Sequence, residues 1–174
     1  MKEIERKLIS ELLKNSRRSD RELAKAIGTS QPTATRLRSK LEKEGYIREY
    51  TIIPNFSKIG YTIMAMNFIK LDSKITEREV EGFRKTHPEI MGKNPFGVVL
   101  IRRGIGLGYD SVIVSFHQNY ASYDAFRKNA KRNMGANITE MNTFLINIEE
   151  NNTLPPTFSF IARHILKSDG KTKK

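Results

Sequence analysis

Cysteine is absent from the 174 residues, so no disulfide framework, thiolate metal site or thiol nucleophile is available. Long apolar runs are absent too. No stretch approaches the ~20 residues that a bilayer-spanning helix needs, and the N-terminus MKEIERKLIS mixes acids and bases where a secretory signal would carry an uninterrupted apolar segment. The chain is therefore expected in the cytoplasm, with no membrane partner. Catalytic signatures are missing as well. There is no G-x-S-x-G, no P-loop and no histidine pair at i, i+4 spacing, so nothing nominates a nucleophile, a general base or a metal site. His87, His117 and His164 lie far apart in the sequence, and no cofactor is implied.

Positive charge, in contrast, is plentiful. Thirty-one Lys and Arg against nineteen Asp and Glu give a net +12, and the excess is uneven. Residues 1–60 hold fourteen bases and eight acids, residues 61–151 twelve and ten, and residues 152–174 five and one. Two basic ends flank a nearly balanced middle, the electrostatic footprint of a chain that docks on phosphates, although a membrane surface or simple solubility would carry the same sign. An apolar share of 38% and a charged share of 29% suit a globular protein with a modest core.

Ile4, Leu8, Ile9, Leu12 and Leu13 recur at helical spacing, so residues 3–14 read as an amphipathic helix. Ser19 followed by Glu22 forms a capping box that opens a second helix at 20–27. Gly28 stands where a helix exit needs positive φ, and Ser30 before Gln31 and Pro32 opens a third helix, 31–44. Gly45 closes it, and the β-rich YIREYTIIP reads as a strand leading out. From Tyr61 the apolar pattern alternates, with Pro54, Asn55 and Gly60 marking a join. Strands at 62–71, 96–103, 109–117 and 141–149 and helices at 76–87 and 120–133 give the order βαββαβ, the split βαβ of ferredoxin-like domains. The organisation expected is a three-helix domain at 1–53, a linker at 54–60, a ferredoxin-like domain at 61–151 and a basic tail at 152–174, an α+β chain overall.

Both faces of the sheet read as apolar, with Met64, Met66 and Phe68 alternating with Ile63, Ala65 and Ile69. Helices on one face leave the other open, and an open antiparallel face tolerating water would carry polar residues. A second copy is the simplest cover; the alternative is that FSFIARHIL near the C-terminus folds back over its own sheet.

Ala24, Gly28, Ala34 and Leu37 have the spacing of a helix-turn-helix. Ala24 is small where two helices cross, Gly28 makes the turn, and Ala34, Leu37 and Leu41 face the core. At about 100° per residue, the opposite side of the third helix presents Thr35, Arg36, Ser39 and Lys43, flanked by Arg38 and Lys40. Such a helix enters the major groove N-terminus first, so Gln31, Thr33, Thr35 and Arg36 lie nearest base edges, while Arg38, Lys40 and Lys43 suit phosphates. A run of bases alone is usually only a solvated face; here charge, spacing and caps coincide on double-stranded DNA as the partner.

Residues 1–61, with RELAKAIG and LEKEGYI, together with HPEI and GYDSVIVSF further on, resemble the Lrp/AsnC (feast/famine) transcription regulators over about residues 1–150. The resemblance implies an N-terminal winged helix-turn-helix, a βαββαβ (RAM-type) domain through which homodimers form, frequent assembly into octamers, and a small effector such as an amino acid between subunits. The family's effector turn maps onto Gly106, Gly108, Tyr109 and Asp110. Read without the family, Gly104, Gly106 and Gly108 are a hairpin turn, and they open no helix as a dinucleotide fingerprint would. Some proteins of this two-domain architecture are sirohaem decarboxylases acting without added metal or cofactor, which makes such an enzyme the alternative function.

Overall fold

The computed structural model describes residues 1–72, 97–134, 137–149 and 157–166. They form two compact units, one of residues 1–53 with the C-terminal segment from 154, the other of residues 54–153. The expected helix at 76–87, with the HPEI element and His87, lies outside the described residues, as do the tail's Pro155-Pro156 and its lysine-rich end.

In the N-terminal unit the caps place three helices: α1 (Glu3–Lys14), α2 (Asp20–Ile27) and α3 (Gln31–Lys43). The Ser19 side chain accepts from the Glu22 N–H while Glu22 reaches back to the Ser19 N–H at 2.7 Å, satisfying two donors that the first helical turn cannot. Gly28 has φ +71°, a left-handed exit that only glycine adopts without penalty, and the Ser30 hydroxyl caps α3 from two residues later. Leu8, Leu12, Leu23, Ala24, Ile27, Ala34 and Leu41 make the buried core, with Leu37 and Ile47 packed against it.

Tyr46–Pro54, expected as a strand, is irregular here. A strand exists only by pairing its N–H and C=O groups with a neighbour, and within this chain the segment joins no ladder; Tyr50, Ile52 and Ile53 are exposed along it. The C-terminal FSFIARHIL also departs from the alternative weighed for it. It forms a short helix, α5 (Ser159–Ile165), that packs on α1. Ala162 is fully buried there, and its carbonyl accepts a 2.8 Å hydrogen bond from the buried Ser10 hydroxyl. The small alanine permits that close approach, so the segment belongs to the N-terminal unit.

The second unit is a four-stranded antiparallel sheet, β1 (Ile63–Leu71), β2 (Gly97–Gly106), β3 (Tyr109–His117) and β4 (Ile138–Asn147), in the order β2-β3-β1-β4. Helix α4 (Tyr120–Met134) supplies Tyr123 and Phe126 to a core with Ala65, Ile69 and Ile113. β2 runs three residues past its expected end because the turn is only Leu107-Gly108, both at positive φ (52° and 79°), the geometry of a two-residue hairpin. β4 starts early because Leu71 pairs with Ile138 after an irregularity at Lys70/Leu71. Asn67, Ser115 and His117 are buried on the helix-bearing face, where Asn67 donates to the Ile113 carbonyl (3.1 Å) and the Ser115 hydroxyl (3.3 Å) and accepts from Thr143 (2.9 Å). On the other face, Phe116 is stacked by Phe56 at 3.9 Å, while Met64, Met66, Phe68, Val112 and Val114 are half-buried. Among the described residues no helix is long and apolar enough to cross a membrane.

Candidate nucleic-acid interface

The core fixes which side of α3 meets solvent. Ala34 and Leu41 are fully buried and Leu37 packs beside them, so the residues opposite them turn outward. Thr35, Arg36, Ser39, Lys40, Lys43 and Glu44 line one open depression along the helix. Gln31 is exposed at the N-terminus of α3, and Thr33 is half-buried with its hydroxyl 2.9 Å from that of Ser30. The structure thus brings Gln31, Thr35, Arg36, Ser39 and Lys43 to one solvent-facing surface, and among the described residues the side chains of Arg36 and Lys43 enter no ion pair.

Arg38 and Lys40 are positioned differently. The Arg38 Nε lies 2.9 Å from Asp20 Oδ1 at the start of α2, its Nη2 donates to the Arg18 carbonyl at 2.7 Å, and its guanidinium stands over the Tyr50 ring at 5.9 Å. This side chain ties α3 to α2 and to the segment after α3. The Lys40 Nζ is 2.6 Å from Glu5 Oε1 and 3.8 Å from Glu44. Glu5 is only 3% exposed; its carboxyl is held below the ordinary range chiefly by the Lys40 hydrogen bond and next by the Lys2 N–H, and Lys40 is correspondingly pushed up by Glu5. A phosphate would have to compete with these carboxylates for either cation.

Sequence reasoning missed the acids. Asp20, Glu5 and the Arg18 carbonyl organise the cationic helix from the neighbouring helices and the turn between them, and Thr35 also engages Asp20, donating to its Oδ2 at 2.7 Å. The available signal was the presence of Glu5 and Asp20 within a basic segment; pairing them with particular bases required the helix crossing. Exposed Arg21 and Lys25 on α2 and Arg48 after α3 add positive charge to the same unit.

The residues mapped as an effector turn separate into two groups. Gly106 and Gly108 belong to the exposed hairpin tip. Tyr109 and Asp110 point to neighbouring strands: the Tyr109 ring lies 5.8 Å from Phe68, its hydroxyl donates to Glu140 at 3.0 Å and meets Asn142, and Asp110 accepts the Leu71 N–H at 2.8 Å. His117 is enclosed by Tyr123 and Phe126 at 5.5 and 5.4 Å, with its Nε2 2.8 Å from the Ser115 hydroxyl. Burial pushes its pKa down. Among the described residues no group of three or more His, Asp or Glu is placed to hold a metal ion.

Residues 1–48 match the family model for winged helix-turn-helix DNA-binding domains. The chain is 37% identical over 90 residues to an HTH-type transcriptional regulator of Pyrococcus furiosus, a match covering 52% of this chain and 60% of that protein, less than two thirds of its relative's length. It is 29% identical over 154 residues to an HTH-type transcriptional regulator of Pyrococcus abyssi, covering 88% of this chain and 98% of the relative. The crystal structure of an AsnC family transcriptional regulator from Agrobacterium tumefaciens superposes with a TM-score of 0.70 at 24% identity, over 89% of this chain and 97% of that one, so the two share a fold.

Proposed function

We propose that the chain is a transcriptional regulator of the Lrp/AsnC type, that it reads duplex DNA with the outward face of α3, and that it pairs two such helices by dimerising through its sheet. The observation that carries the reading is the division of α3. Its inward residues are sealed in the core, while Thr35, Arg36, Ser39 and Lys43 share an open surface. Gln31, Thr35 and Arg36 face base edges, with Thr33 beside them at the helix start. Lys43 and Ser39 meet the backbone, and Arg38 and Lys40 supply local positive potential while holding the helix in place.

Dimerisation is supported by the sheet face opposite α4, where Met64, Met66, Phe68, Val112 and Val114 are half-buried and Phe144 is 63% exposed. A second copy laid on that face would remove apolar surface from water and set two helix-turn-helix units on half-sites about one helical turn, or a multiple, apart. Association into octamers and binding of a small effector such as an amino acid near Gly106, Gly108, Tyr109 and Asp110 complete the proposal, in which the chain acts in the cytoplasm by binding and not by catalysis. Selection from random duplexes at low salt tests the reading: pseudo-palindromic sites are expected from the wild type, and recovery of no enriched sequence would contradict it.

A further inference from the structure

We infer that Asp20 sets the hydrogen-bonding polarity of the recognition face, by taking up the only hydroxyl proton of Thr35 and leaving that side chain to DNA as an acceptor. The inference rests on the reading of α3 as the DNA-contacting helix and adds to it the chemistry that one position recognises.

A threonine hydroxyl has one proton and two lone pairs, so in solvent it meets a base edge as donor or acceptor with equal ease. Thr35 has lost that freedom. Its Oγ1 lies 2.7 Å from Asp20 Oδ2 and 3.0 Å from the Gln31 carbonyl oxygen, and an ionised carboxylate and a carbonyl can only accept. Whichever of the two takes the proton, it is spent inside the protein. Asp20 has a second, cationic partner, since Arg38 Nε stands 2.9 Å from its other oxygen and is itself fixed by the Arg18 carbonyl at 2.7 Å and the Tyr50 ring. Redirecting the proton outward would give up a hydrogen bond to a charged acceptor. Thr35 remains exposed and lines the same depression as Arg36 and Ser39, so its lone pair is what it offers to a ligand.

In the major groove the exocyclic amino groups of adenine (N6) and cytosine (N4) are donors, whereas guanine O6 and N7 and thymine O4 are acceptors. Thr35 therefore selects an amino group and repels a bare acceptor. Its neighbour Arg36, with donors only, has the opposite preference. Adjacent residues of one helix thus carry complementary tests, and Asp20 and Arg38 act as positioning residues that make them so.

The experiment is a cycle between protein and base. In a duplex carrying a selected site, single adenines are replaced by purine and single cytosines by pyrimidin-2-one, which removes the amino group. In a second set, purines are replaced by their 7-deaza forms, which removes an acceptor. Affinities are measured for the wild type, Thr35→Val and Thr35→Ser. One amino-deleted duplex is expected to bind the wild type and Thr35→Ser about three- to tenfold more weakly, as for one hydrogen bond, and to bind Thr35→Val no more weakly than the intact site does. Asp20→Asn, which removes the charged acceptor and leaves the proton only neutral ones such as the Gln31 carbonyl at 3.0 Å, is expected to weaken the discrimination against the amino-deleted duplex; discrimination as strong as the wild type's would remove Asp20 from the inference. If Asp20→Asn fails to fold, the Thr35 variants decide alone. Coupling of Thr35→Val to an acceptor-deleted base, or to none, with binding otherwise intact, overturns the inference and leaves the DNA reading standing. Failure of the wild type to bind any duplex at low salt overturns the DNA reading itself.

Discussion

In the N-terminal unit the carboxylates drawn against α3 meet the opposite charge, Glu5 with Lys40 and Asp20 with Arg38, beside one neutral buried group, the Ser10 hydroxyl on the Ala162 carbonyl. In the sheet unit, the polar groups under α4 are neutral and meet one another, Asn67 with Ser115 and Thr143, and Ser115 with His117. The difference teaches what each unit is arranged to respond to. Ion pairs beside a cationic face are weakened by salt and can exchange partners with a phosphate, while a neutral network is indifferent to salt and sensitive to the protonation of its single histidine.

The comparison breaks most sharply at the cores. Leu41→Ala removes a fully buried side chain and is expected to destabilise the N-terminal unit by about 2–5 kcal/mol, abolishing DNA binding while the backbone amides of β1 and β3 keep their hydrogen-exchange protection. Loss of protection in both units would show that they unfold as one. Next comes recognition. Arg36→Ala should cost about 1–3 kcal/mol at one base position, and an equal loss on all sequences would demote Arg36 to a backbone contact.

Acid acts in two windows, and the upper one belongs to the sheet unit through His117. A histidine whose pKa is lowered on folding takes up its proton more readily when unfolded, so stability is complete above the unfolded value near 6.5 and falls as pH drops below it. Glu5, Glu22 and Asp124 have carboxyls lowered on folding, so their contributions persist until pH falls through about 4.5 and lower. His117→Gln should erase the loss between pH 6.5 and 5 in thermal melts and leave the acid limb in place; an unchanged profile would show that His117 titrates as freely folded as unfolded. The smallest effect contrasts two lysines of α3. Lys43→Ala should flatten the slope of log K against log salt by about one. Lys40→Ala should flatten it less, because Glu5 already neutralises that cation. Equal slopes would mean that Lys40 leaves Glu5 for a phosphate.

Much of the N-terminal unit was legible because its signals are local. Ser19 with Glu22, Gly28 and Ser30 with Pro32 each act within four residues, and the helices begin and end where those signals stand. What could not be read is what a wheel diagram omits. The angle of Arg38 placed it beside a DNA-facing side, yet its partners sit about twenty residues earlier, at Arg18 and Asp20, and only the crossing of α2 and α3 brings them there. Strand limits drifted for the same reason: Leu71 pairs with Ile138 across a register shift, and YIREYTIIP has β propensity with no neighbour to pair with in its own chain. The apolar alternation of β1 announced two apolar faces, and the ladder fixes which residues share each.

The claim on which the account turns is that α3 holds duplex DNA through an exposed cationic edge. Titrating a labelled duplex with the wild type and with a combined Arg36→Ala, Lys43→Ala variant across a salt series tests it most directly. Wild-type affinity is expected to fall linearly in log salt, with the variant both weaker and less salt-dependent. Wild-type binding that ignores salt, or a variant that binds as the wild type does, would contradict it.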